Sequence, residues 1–375
     1  MNCDKTKVMH IRQKSSPCSD RVFKMGNTTI EYTPRYRYLG LTISETLEYN
    51  ECVNELITAS SRALGALSSK YFLVDGFDYE TYTKLFTSTV VPIMDYASGV
   101  WGYKPYDNIE RLQYRAIRTF MGVGKCSPIP AICGDMGWTP AYIRRQCNMI
   151  RLWHRITSMH VGRIPNRIFQ WDSTLSEKYK KTWYNELKSV MEKCELLELF
   201  NNNYTNGLSV KFIANYSELL LRQKHHDKWK LDIMNMPKLR TFRCLETNFE
   251  TQQYITTNMT RQQRSTLARM RCGTFPLELE LGRYRGIPSN RRFCKVCNDK
   301  VSVEDEKHFL VKCPLYLCER NNAFADFQQR NNIDFSVLSD DEILIKLLTT
   351  DCKLVSNYIF NISKIRTQLL SHCDI

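Results

Sequence analysis

Residues 294–313 read Cys294-Lys-Val-Cys297-Asn-Asp-Lys-Val-Ser-Val-Glu-Asp-Glu-Lys-His308-Phe-Leu-Val-Lys-Cys313. Two cysteines two residues apart can hold one ion from a tight turn. A His and a Cys five apart are expected on one face of a helical turn, where they close a tetrahedron. Three thiolates and one imidazole suit Zn2+, and a full set of four leaves no open position for a catalytic water. The expected role is therefore structural: metal binding helps to fold a short segment with little core. The competing readings are four unconnected residues or a disulfide. Cys318 is a spare thiol, expected on the helix that Pro314 opens, and ranks below Cys313 as a ligand.

The approach to this stretch is basic. Between 261 and 297 stand nine Lys/Arg and two acids, Glu278 and Glu280. That net +7 is half of the whole chain's +14. Arg269, Arg271, Arg283, Arg285, Arg291 and Arg292 are candidate phosphate contacts, because guanidinium binds phosphate in bidentate fashion. Tyr284 and Phe293 offer faces for base stacking, a pairing typical of single-stranded RNA recognition. The competing reading is a solvated basic helix face.

Outward from this region the chain is ordinary in bulk. Its 375 residues suit two or three domains. With 43% apolar and 25% charged residues, wholesale disorder is excluded. No apolar run approaches the ~20 residues that span a bilayer, and no signal core follows Met1. A secreted or membrane-spanning protein is therefore excluded as a working reading, and the expected site is intracellular, nucleus or cytoplasm. The 15 cysteines are scattered, and without a secretory signal they are expected reduced.

Secondary structure follows from periodicity. Residues 21–32 alternate around Gly26-Asn27, a hairpin signal. Residues 36–43 read as another short strand. Cys52, Leu56, Ala59, Ala63, Leu64 and Leu67 make a helical stripe, as do Tyr82, Leu85, Phe86 and Val90. Ile109, Leu112, Ala116, Ile117 and Phe120 make a third, stopped by Gly122 and Gly124. Residues 142–157, 177–200 and 211–231 are further expected helices, with 201–207 a turn. Residues 314–330, 340–349 and 352–371 complete the set. The fold class is thus mainly α, with a short N-terminal β-hairpin region. Adjacent His225 and His226 cannot converge on one ion from a helix and read as surface.

Several motifs, taken in order, resemble the C-terminal part of the reverse transcriptase of LINE-type (non-LTR) retrotransposons. Asn2-Cys-Asp-Lys5-Thr6-Lys-Val-Met9 is similar to that family's N-x-x-K-T-x-x-M element at the end of the palm. Tyr36-Arg-Tyr38-Leu39-Gly40 is similar to its Y-L-G primer-grip hairpin. Pro92-Ile-Met-Asp-Tyr96-Ala-Ser-Gly-Val-Trp101-Gly102, the run from Ile109 to Arg118, and Gly134-Asp-Met-Gly137-Trp-Thr-Pro140 are similar to its post-palm helices. The Cys-His knuckle completes the series. The resemblance covers residues 1 to about 150 and 260–318; between them it is a general helical match.

The resemblance implies four segments: a palm-edge remnant at 1–48, a helical thumb-like domain at 49–200, a connector at 201–259, and the basic segment, knuckle and C-terminal helices at 260–375. It implies that Tyr38, Leu39 and Gly40 approach a primer end. Lys5 becomes a bystander or a phosphate contact. The partner expected is RNA or an RNA–DNA hybrid. The family's paired catalytic aspartates precede the N-x-x-K-T element. The expectation is a chain without that polymerase portion and without polymerase activity alone. Ser339-Asp340-Asp341-Glu342 does not replace the pair, since Ser followed three residues later by Glu before an apolar run is a helix cap. Gly122-Val-Gly124-Lys125 lacks the spacing of a phosphate loop. The alternative reading is a zinc-stabilised helical module that binds protein.

Overall fold

The computed structural model describes residues 5–202, 207–245, 248–297 and 301–373. Asn2, Cys3 and Asp4 of the N-x-x-K-T element lie outside them, as does 203–206 of the expected turn. The chain is mainly helical, 64% helix against 5% strand, with two hairpins near its start.

The first hairpin pairs β1 (Phe23–Met25) with β2 (Thr28–Ile30), Phe23 opposite Ile30. Gly26 takes a positive φ in its two-residue turn. Residues 36–43, read from composition as one short strand and from the resemblance as a Y-L-G hairpin, fold back as the hairpin β3 (Arg35–Tyr38) and β4 (Leu41–Ser44). Leu39 and Gly40 both have positive φ, the condition for a tight type I′ turn. Glycine accepts this freely and leucine does not. The Tyr96 hydroxyl donates to the Leu39 carbonyl at 2.6 Å and holds the turn.

Helix Asn50–Leu73 buries Cys52, Leu56, Leu64 and Leu67 as the stripe implies. Its face also carries Ser60 and Tyr71 rather than Ala59 and Ala63. Ser60 satisfies its buried hydroxyl on the Leu56 carbonyl at 2.7 Å. Helix Asp107–Met121 buries all five expected residues and stops at Gly122, which has positive φ. Residues 177–200 are not one helix. They hold a loop, helix Trp183–Lys193 and helix Leu197–Asn202. The break falls at Glu195, in the left-handed region, where Leu196 donates back to the Met191 carbonyl. Helix Ile164–Leu175 lies outside the expected set; Pro165 sits in its first turn, where no N–H is needed.

Packing groups the residues into two units. The first comprises 1–65, 87–112 and 141–220. Its centre is helix Ala141–Thr157 packed on the short helix Ser98–Trp101. Arg145 is fully buried there, 3.1 Å from Glu110 and 3.7 Å from Asp95, with its guanidinium over the Trp101 ring. Glu110 also accepts the Ala141 and Tyr142 N–H groups, both at 2.9 Å. A carboxylate at a helix N-terminus satisfies orphan donors and complements the helix dipole.

The second unit comprises 66–86, 113–140 and 221–375. Helix Arg261–Arg271 opens with a Thr260/Gln263 capping box and packs on helix Cys352–Cys373. Two of its arginines point inward. Arg264 reaches the Tyr71 hydroxyl at 3.1 Å and lies over the Phe120 ring. Arg271 pairs with buried Asp135 at 2.9 Å. Ser339 and Glu342 form the expected capping box of helix Asp340–Thr349. Asp340 and Asp341 are held by Lys312 and Lys307, at 2.8 and 2.9 Å. His225 and His226 are half-buried, which corrects the surface expectation. Phe249 and Trp229 cover them, and burial lowers the His225 pKa to about 4.

Candidate metal centre

Cys294, Cys297, His308 and Cys313 converge. Their ligand atoms all lie within 4.8 Å of one another, with Cys297 Sγ 3.5 Å from His308 Nε2. Cys294, His308 and Cys313 are buried, and Cys297 is at the half-exposed edge. Such a cluster can hold a metal ion.

Local structure explains the convergence. Phe293 and Val303 form an antiparallel bridge, and Cys294 N–H donates to the Ser302 carbonyl at 3.2 Å. This clamps the chain on either side of the turn that carries Cys297. The Asp305 carboxylate accepts the His308 N–H at 2.8 Å and fixes the start of the next turn. That turn, His308–Lys312, is π-helical, and Cys313 N–H donates to the His308 carbonyl at 2.7 Å. The geometry corrects the simple helical expectation. In an α-helix, residues five apart are rotated roughly 140° from each other. An i→i+5 turn brings them back into line, which is why a π-bulge sits here.

A second layer surrounds the ligands. Glu304 is fully buried and accepts from Arg366 through both oxygens, at 2.7 and 2.8 Å. It also accepts the Glu278 N–H at 2.7 Å and lies 3.8 Å from Cys294 Sγ. Arg320 donates to the Cys313 carbonyl, and Tyr358 to that of Leu310. Helices Leu317–Asn331 and Cys352–Cys373 thus grip the ligand-bearing turn. Sequence reasoning missed Glu304, Arg320 and Arg366. Their partners are distant in sequence, so no local pattern marks them. Cys318 is exposed and outside the cluster.

The hydrogen bond from Cys294 to Cys313, with burial, raises the Cys294 pKa to about 12. The same bond lowers Cys313. Burial works to lower His308, but the hydrogen bond and charge of Cys294, with Glu304 and Asp305, raise it overall. A metal ion must displace these protons. Metal affinity is therefore expected to rise with pH, with proton release on binding. Titration with a chromogenic chelator at pH 6 and pH 8 checks this, and equal affinities would contradict it.

The other expected site residues are divided between the two units. Tyr38 and Leu39 are exposed at the β3–β4 tip, and the carbonyl of exposed Lys5 accepts from Tyr36 at 3.5 Å. In the second unit, Arg283, Arg285 and Arg291 are exposed and Arg269 is half-buried. Arg285 is paired with Glu278, and Arg283 lies 3.9 Å from Glu280. Arg271 is corrected from a phosphate contact to a buried structural partner of Asp135. Arg292 spends its guanidinium on the Leu279 and Ile287 carbonyls, at 2.6 and 2.8 Å.

No protein-family model, no curated protein and no solved structure matches the chain. No described helix is long and apolar enough to cross a membrane.

Proposed function

We propose that this chain is a reverse-transcriptase-like polypeptide of the non-LTR class that binds RNA or an RNA–DNA hybrid and is pinned by a structural zinc ion. The observation that carries the reading is the four-ligand cluster inside an arginine-rich segment. Zn–S bonds of about 2.3 Å and Zn–N bonds of about 2.1 Å in a tetrahedron put S and N roughly 3.6 Å apart. The 3.5 Å between Cys297 and His308 fits that requirement. Four protein ligands complete the shell, so the ion would supply folding energy and no reactive water.

Arg291 is left for phosphate, with Arg269 at the margin and Tyr284, 63% exposed, as a stacking face; Arg283 and Arg285 are exposed but would have to exchange Glu280 and Glu278 for a phosphate. Tyr38, Leu39 and Gly40 form an exposed turn suited to a strand end. Polymerisation is not proposed for this polypeptide, since Asp340 and Asp341 lie in the first turn of a helix capped by Ser339 and are paired with lysines. Fluorescence anisotropy of a labelled RNA against salt tests the reading. Affinity should fall steeply between 50 and 200 mM salt, roughly as −0.7 per phosphate contact for single strands. No dNTP incorporation is expected in a primer-extension assay.

A second reading, a protein-interaction module, draws on one observation. Val161, Ile164, Ile168 and Trp171 are all more than half exposed and recur at helical spacing. Salt-insensitive association, with no RNA binding, would favour it.

A further inference from the structure

We infer that the first unit carries a single-stranded nucleic-acid site of its own, in a cleft of about 890 Å³ separate from the arginines beside the metal ligands. The inference rests on the nucleic-acid reading above and adds a place and a set of contacts to it. Six cations line the cleft: Arg12, Lys14, Lys104, Lys178, Lys180 and Lys181. Two carboxylates, Glu48 and Glu186, line the cleft with them. Arg12 is committed to Glu45 at 3.0 Å. The five lysines are exposed, and among the described residues none has a carboxylate within ion-pair distance. Their charge is therefore available to an anion.

The lining is also aromatic. Tyr49, Tyr103, Tyr179 and Trp183 border the same space. Lys104 lies over the Tyr103 ring and Lys178 over Tyr179, so two of the cations sit against rings that line the same cleft. Lysines that track a backbone beside rings that stack bases are the recurring composition of single-strand sites.

The lysine loop is built, not loose. It joins helix Ile164–Leu175 to helix Trp183–Lys193. The Asn185 amide, from the second helix, donates to the carbonyls of Tyr179 at 3.0 Å and Ser176 at 3.1 Å. Thr182 caps that helix on the Asn185 N–H, and Asp172 accepts the Tyr184 N–H at 2.8 Å. Trp183 is fixed through its indole N–H on the Gly99 carbonyl at 3.2 Å. A loop held at both ends keeps its like charges together, an arrangement that an anionic strand relieves.

The test uses the full chain and a labelled 15-nucleotide oligo(U) RNA, read by anisotropy from 50 to 300 mM salt. Lys178→Ala/Lys180→Ala/Lys181→Ala should weaken binding at least tenfold at low salt and reduce the salt slope by about 2. Tyr179→Ala should weaken the RNA several-fold while leaving competition by polyphosphate, which has no bases, unchanged. Arg283→Ala/Arg285→Ala/Arg291→Ala serves as the comparison, and thermal melts check that every variant folds. Loss of binding in the arginine variant with none in the lysine variant overturns the cleft and leaves the nucleic-acid reading standing. No RNA binding by the wild type overturns both. Displacement of RNA by polyglutamate as effective as by polyphosphate, with Tyr179→Ala silent, also overturns the site and points to an acidic protein partner.

Discussion

Purified protein should contain one zinc per chain, and both Cys297→Ser and His308→Ala should lose it. The loss should be structural. The ligand-bearing turn is π-helical, and its two ends are the ligands His308 and Cys313. The thiols of Cys294 and Cys313 and the His308 ring meet at that turn, and Glu304, fully buried, lies 3.8 Å from Cys294 Sγ. Helices Leu317–Asn331 and Cys352–Cys373 are anchored to the same turn through Arg320 and Tyr358, so the effect should spread beyond the loop. The melting temperature should fall by about 10 °C or more, the size expected from losing several kcal/mol in a unit of this length. Chelation of the wild type with EDTA should reproduce the shift and added zinc should reverse it. A metal-free wild type melting at the same temperature as the holo protein would end the zinc assignment.

Asp135→Ala should destabilise the second unit by about 3–5 kcal/mol, because it strands a buried guanidinium. Asp135 is fully buried and Arg271 nearly so. The carboxylate accepts from Arg271 Nη2 at 2.9 Å and from the Tyr254 hydroxyl at 2.5 Å, while Arg271 Nη1 donates to the Leu348 carbonyl at 2.8 Å. Every strong donor in the group has a partner from another segment, so removing one leaves the others unpaired in low dielectric. The double replacement Arg271→Met/Asp135→Leu should cost less than Asp135→Ala alone, since it removes both charges and retains volume. Urea denaturation measures both. An Asp135→Ala cost below about 1 kcal/mol would mean that Arg271 can leave its pocket for solvent, and its place on a phosphate-binding surface would then reopen.

The two predictions mark how far the sequence could be read. The candidate metal cluster was legible because C-x2-C, His and Cys are all within 20 residues, and local geometry decides whether they meet. The capping box at Ser339 was legible for the same reason. The arginines were not. Arg269 and Arg271 are separated by one residue in a run that reads as uniformly basic, yet one is half-exposed and the other is buried against Asp135, 136 residues away. The lysines of the first-unit cleft come from three separate stretches, so their joint charge has no sequence signature.

By itself, the sequence determined the helical character, the position of most helices and the four-residue cluster that can hold a metal ion. Each depends on spacing along the chain: apolar residues at three and four, a cap three residues from its partner, thiols two apart. Tertiary structure alone decided which charges are spent and which remain. Arg145, Arg264, Arg271 and Arg366 are consumed by buried partners supplied from distant segments. It also decided the helix break at Glu195 and the π turn at His308. In each case the local preference is weak, and the backbone takes the less common conformation that lets its neighbours pack or its ligands meet.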